Sequence, residues 1–148
     1  MAACQAPTDY TALYKPIAEA ELSAFNTGNF SLLDKYNAPD LERHFGIHEY
    51  KGLAAAKEHS KALHDAYDDM HQTLDDLVCS ENKVVARCTT TGKLKGTNIA
   101  WKVPSMTWYE LKDNKIVRSW TTVDGTDELQ RIGFKLIPPT AAVPTPTK

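Results

Sequence analysis

From Met70 to Asp124 the chain is a close succession of alternating segments, Met70 to Cys79, Val84 to Thr91, Ile99 to Leu111 and Lys115 to Asp124. A period of two is the pattern of strands whose faces meet different surroundings. Ser80-Glu81-Asn82-Lys83 and Asp113-Asn114 separate two pairs of these runs with residues suited to tight turns. Strands joined so closely pair antiparallel, so the second half of the chain is predicted to be a meander. Pro104 falls inside the third run, where its missing N–H predicts an edge position or a bulge.

The first half has a different period. Leu13, Ile17, Ala20 and Ala24 recur at helical steps, and Asn26-Thr27-Gly28-Asn29 ends the repeat. Pro16 predicts either that the regular helix begins there or that the preceding turn is kinked. Phe30 to Tyr36 reads as a second short helix closed by Asn37-Ala38-Pro39, and Leu41 to Phe45 as a short extended piece carrying His44. Gly52 opens a third helix to about Ala66, with Leu53, Ala56, Leu63 and Tyr67 facing inward. Helices followed by antiparallel strands predict an α+β domain in which a curved sheet wraps the helices.

With 148 residues, 42% of them hydrophobic, the chain can bury one core. The reading is an arm over 1–8, one domain over 9–137 and a Pro/Thr-rich tail over 138–148. Seventeen basic against nineteen acidic residues, with no run of like charge, argue against a nucleic-acid partner. No apolar run is long enough for a membrane span, and a cytoplasmic protein is expected. Ala2-Ala3-Cys4-Gln5 resembles the junction where a lipoprotein leader is cut, which keeps a periplasmic or Cys4-anchored form as the alternative. Cys4, Cys79 and Cys88 are odd in number without CxxC spacing, and reduced thiols are expected.

Trp120-Thr121-Thr122-Val123-Asp124 singles out a candidate site, because Trp120, Thr122 and Asp124 share one strand face. An acid aligned with an aromatic on a buried face is costly to ionise unless it is paired or used. The competing reading is a cap on the segment that follows. Parity also sets Thr107 and Tyr109 on the face opposite Trp108, and Trp101, Trp108, Trp120 and Tyr109 are candidate pocket aromatics. Arg87, in mid-strand, would need a carboxylate such as Asp124 or Glu110 if buried. His44-x-x-x-His48 has a metal spacing, but Gly46 breaks the helix that spacing needs. His59, His64 and His71 read as solvated.

The order of pieces resembles the SnoaL-like polyketide (ester) cyclases of the nuclear transport factor two-like superfamily. The residues that carry it are Asn37-Ala38-Pro39-Asp40, His44, Asp76-Leu77, Val84-Val85-Ala86-Arg87, Lys115-Ile116-Val117 with Trp120, Asp124, and Leu129-Gln130-Arg131-Ile132-Gly133 before Ile137-Pro138-Pro139. The resemblance implies a cone-shaped α+β barrel with three N-terminal helices on a curved, mostly antiparallel sheet and a short C-terminal helix. It also implies acid/base chemistry without metal or organic cofactor, such as aldol cyclisation or a related isomerase, dehydratase or hydrolase step on a small, largely apolar oxygenated molecule. Asp124 would be the acid/base and His44 its partner, with Thr107, Tyr109, Arg87, Trp120 and Trp101 shaping the pocket, and the outer sheet face would form a homodimer. Two departures stand out: Thr107 fills a position often held by His or Asp, and Gly92 to Thr97 is shorter than the family's pocket loop. A non-catalytic ligand-binding or scaffold domain is the alternative these departures favour.

Overall fold

A computed structural model describes residues 8–135, so the arm up to Pro7, Cys4 and the tail over 138–148 lie outside the described residues. Helix α1 (Tyr10–Thr27) starts at Asp9, whose carboxylate accepts from the Ala12 amide, and ends at Gly28 with a left-handed φ of 67°. Pro16 therefore sits inside the helix and does not open it. The buried stripe is Tyr14, Ile17, Ala18 and Ala24, turned away from Leu13, which is exposed. A 3-10 turn (Phe30–Leu32) leads into the short α2 (Leu33–Tyr36).

Strand β1 spans Asn37–Phe45, longer than its sequence pattern predicts, and β2 (His48–Lys51) is an unpredicted hairpin partner at the sheet edge. Helix α3 (Leu53–Ala66) follows, then β3 (Tyr67–Ser80), β4 (Lys83–Leu94), β5 (Ala100–Lys112), β6 (Lys115–Val123) and α4 (Thr126–Arg131). The six strands run in the order β2-β1-β6-β5-β4-β3, and β1 with β6 is the parallel pair. This is the curved, mostly antiparallel α+β architecture that the sequence predicts. Asp113 and Asn114, with φ of 53° and 57°, make the tight β5–β6 turn.

Pro104 lies in a central strand, paired with Thr89 of β4, contrary to the predicted edge or bulge. The Asp124 amide donates to its carbonyl, and a strand residue's N and O point the same way. Its missing N–H therefore faces the end of β6, where the ladder stops.

The core lies between the helices and one face of the sheet, built on Tyr14, Ile17, Leu41, Ala56, Val84, Ala86, Tyr109, Leu111 and Ile116. On β4 the inward residues are Val84, Ala86, Cys88, Thr90 and Gly92. On β6 they are Ile116, Ser119 and Thr121, so Trp120 points to the opposite, outer face. Cys79 and Cys88 are free thiols, and burial pushes Cys88 up to about 11.

Candidate functional site

Parity decides what the inner face presents. Leu41, Arg43 and Phe45 alternate inward along β1, while Glu42 and His44 point out. On β5 the inward series is Trp101, Val103, Ser105, Thr107 and Tyr109. These walls and the helices enclose two adjoining chambers that share Phe25, Phe45, Leu63, Gln72 and Thr121.

The inner chamber, of about 90 Å³, mixes polar and charged side chains with apolar ones. Arg43 donates through Nη2 to Glu21 Oε2 and through Nη1 to Ser60 Oγ, both at 3.0 Å. Glu21 Oε1 accepts from Asn37 Nδ2 at 2.5 Å. Both charged side chains are 11% exposed, a pairing that compensates two ions that burial alone would destabilise. Tyr109 lies beside them, its phenol raised far above its ordinary value by burial and then by the Glu21 charge, with Arg43 opposing. Thr107 and Thr121 share a hydroxyl hydrogen bond of 2.9 Å across the strands.

His59 lines the same chamber from α3. Its ring stacks on Tyr50 at 4.1 Å and meets Phe45 edge-on at 5.0 Å. Burial, then the positive field of Arg43 and of His48, lowers its pKa, so the imidazole is neutral at neutral pH and can accept a proton. The sequence reading sets His59 aside as solvated, although it stands on the helical stripe of Ala56 and Leu63. Arg43 was legible too, since it shares a strand face with Leu41 and Phe45.

The outer chamber, of about 340 Å³, is lined by Phe25, Met70, Trp101, Val103, Val123 and Leu129 among others, and among the described residues none that lines it carries a full charge. Trp101 Nε1 and Ser105 Oγ are buried there without a hydrogen-bond partner among the described residues, and Ser119 Oγ is likewise unpaired in the inner chamber.

Of the residues singled out in the sequence, Thr107, Tyr109 and Trp101 line the chambers, and Asp124, His44, Arg87 and Trp120 do not. Asp124 is exposed just beyond β6, its Oδ1 accepting from the Thr126 amide at 3.2 Å. Hydrogen bonds from the Thr126 side chain and backbone lower its pKa, the reverse of what a proton donor at neutral pH needs. His44 stacks on Trp120 outside, with Trp108 beside them. Arg87 is exposed on the outer face and pairs with Asp75 at 3.4 Å, neither with Asp124 nor with Glu110, which meets Arg118. These four placements share one cause: alternation assigns residues to faces but does not say which face is inside. Ligating atoms of Glu42, His44 and Glu49 come within 4.8 Å of one another on the outer face, where Arg118 and Lys51 already neutralise the carboxylates.

A curved six-stranded sheet wrapped over helices, with a cavity between them, defines a cone-shaped α+β domain of the nuclear transport factor two-like class. A model of the SnoaL-like domain matches residues 18–119, and the chain belongs to that family. TsrD from Streptomyces laurentii superposes with a TM-score of 0.76 at 22% identity, over 86% of this chain and 98% of that one. A SnoaL-like polyketide cyclase from Agrobacterium tumefaciens gives 0.68 at 17% identity, over 80% and 97%. A protein of ketosteroid isomerase-like fold from Catenulispora acidiphila, in complex with trimethylamine, gives 0.73 at 16%, over 80% and 93%. No curated protein matches in sequence. No helix among the described residues is long and apolar enough to cross a membrane.

Proposed function

We propose that the cone binds a small, largely apolar oxygenated molecule and catalyses an acid/base step alpha to a carbonyl, of the kind that opens an aldol cyclisation or an isomerisation. The observation that carries this reading is the neutral imidazole of His59 in the wall of a chamber that also holds Arg43 and Tyr109. His59 takes the proton from carbon, and the electron pair moves onto the carbonyl oxygen. The Arg43 guanidinium and the Tyr109 hydroxyl supply the positive field and hydrogen bonding that a developing enolate needs. Glu21 holds Arg43 in place, and the apolar outer chamber keeps the rest of the molecule folded and dry.

Asp124 and His44 have no part in this step. The test is solvent deuterium exchange alpha to the carbonyl of 2-acetylnaphthalene, followed by mass spectrometry. Exchange catalysed by the protein and lost in His59→Gln with retained binding supports the reading, whereas an unchanged rate in that variant sinks it. The non-catalytic alternative draws on the Thr107–Thr121 pair, which puts hydroxyls where an ionisable strand residue would stand. Binding without exchange in the unmutated protein would favour it.

A further inference from the structure

The two chambers differ in size, and the difference fixes which end of a ligand goes where. A cavity of roughly 150 Å³ is what one benzene ring occupies inside a protein. At about 90 Å³ the inner chamber is too small for a ring, while the outer chamber, at about 340 Å³, exceeds twice that measure. An aryl ketone therefore has one way to bring its oxygen to Arg43. The acyl group enters the inner chamber, and the ring system stays in the outer one.

The inner chamber cannot widen cheaply, because side chains around it are already committed. Arg43 is fixed at 3.0 Å from both Glu21 and Ser60, and Thr107 is tied to Thr121 at 2.9 Å. Moving Arg43 aside would break a buried ion pair. The boundary shared by the chambers is held as well. Gln72 donates through Nε2 to Thr90 Oγ1 at 3.0 Å. Asn26 clamps its backbone, accepting from the Gln72 amide at 2.6 Å and donating to the Gln72 carbonyl at 2.9 Å. Phe45 rests edge-on against His59, ring centroids 5.0 Å apart. Leu63, which lines both chambers, stands one turn beyond His59 on the same face of α3 and so bounds the space next to the imidazole.

We infer that this boundary, with Leu63 as its specificity-determining side chain, filters ligands by the size of the acyl group. The protein takes ketones with a short terminal acyl group, of acetyl size, on an apolar body as wide as two fused rings, and rejects a branched or aromatic acyl group. This rests on the cavity-binding reading above and names the substrate class within it. Apolar burial alone predicts the opposite order, since each added methyl carbon would tighten binding. Weaker binding of a larger acyl group has to come from lack of room.

The experiment compares 2-acetylnaphthalene with 2-pivaloylnaphthalene, which has the same body and a bulkier acyl group, by NMR titration of the full chain. The acetyl ketone is expected to bind at least about tenfold more tightly. In Leu63→Ala that ratio should fall toward one through a gain in affinity for the pivaloyl ketone. Phe25→Leu, at the same boundary, gives the same readout if Leu63→Ala does not fold. Equal or tighter binding of the pivaloyl ketone to the unmutated protein, or an unchanged ratio in the folded variant, overturns the filter while cavity binding stands. Failure of both ketones to bind overturns the cavity reading as well, and deuterium exchange in His59→Gln tests catalysis separately.

Discussion

The His44 imidazole lies parallel to the Trp120 indole, ring centroids 5.3 Å apart and planes within 5°, on the sheet face that points away from the cavity. The two residues are register partners in the parallel β1–β6 pair, so the stack ties the strand that closes the sheet to its neighbour. His44→Ala is expected to cost about 0.5–1.5 kcal/mol of stability through the lost ring contact. Naphthyl-ligand affinity and deuterium exchange should be unchanged. Urea denaturation and the two ligand assays check this, and loss of exchange in a folded His44→Ala would return His44 to the site.

Removing the Arg43 guanidinium leaves Glu21 buried with Asn37 as its one hydrogen-bond partner among the described residues. Arg43→Met is expected to destabilise the fold by about 3–5 kcal/mol. Glu21→Leu in the same chain should restore most of that stability and none of the exchange activity. Denaturant midpoints of the single and double variants decide the point.

His59 links stability and activity to pH in the same direction. Its folded pKa is lowered, so between that value and the ordinary one of about 6.5 the unfolded chain binds more protons. Its contribution is present above about 6.5 and is lost as pH falls through that window. Exchange activity, which needs the neutral imidazole, should hold its plateau below pH 6.5 before declining. His59→Gln should flatten the stability profile there, as read by denaturant titrations from pH 5 to 8.

Gly92→Ala forces a methyl against the Trp101 ring at 2.7 Å, with Met70 Cγ at 3.2 Å leaving no room on the other side. A loss of about 1–3 kcal/mol is expected from overpacking. Affinity for 2-acetylnaphthalene should fall as well, because the displaced ring lines the outer chamber. A thermal melt and a titration with 2-acetylnaphthalene measure both effects.

Asp124→Ala removes the acceptor of the Thr126 amide and should loosen the start of α4. Faster hydrogen exchange over 126–131 with unchanged alpha-carbon exchange activity is the expected outcome. Loss of activity without change in α4 would restore Asp124 as the acid.

The sequence by itself determined the run of elements apart from β2, the tight turn at Asp113-Asn114 and the pairing of residues by face within a strand, because all three depend on neighbours a few positions apart. It placed Thr107 and Tyr109 on one face, and both line the inner chamber. Which face was inside belonged to tertiary structure. On β6 the usual sign is inverted: Ser119 and Thr121 face the cavity, while Trp120 packs outside on His44 and Trp108. A polar cavity lining and an aromatic outer face make local hydrophobicity a misleading guide there. Arg43, Glu21, Ser60 and His59 come from three separate elements, α1, β1 and α3. No local pattern joins them, and only the closing of the sheet over the helices brings their side chains together.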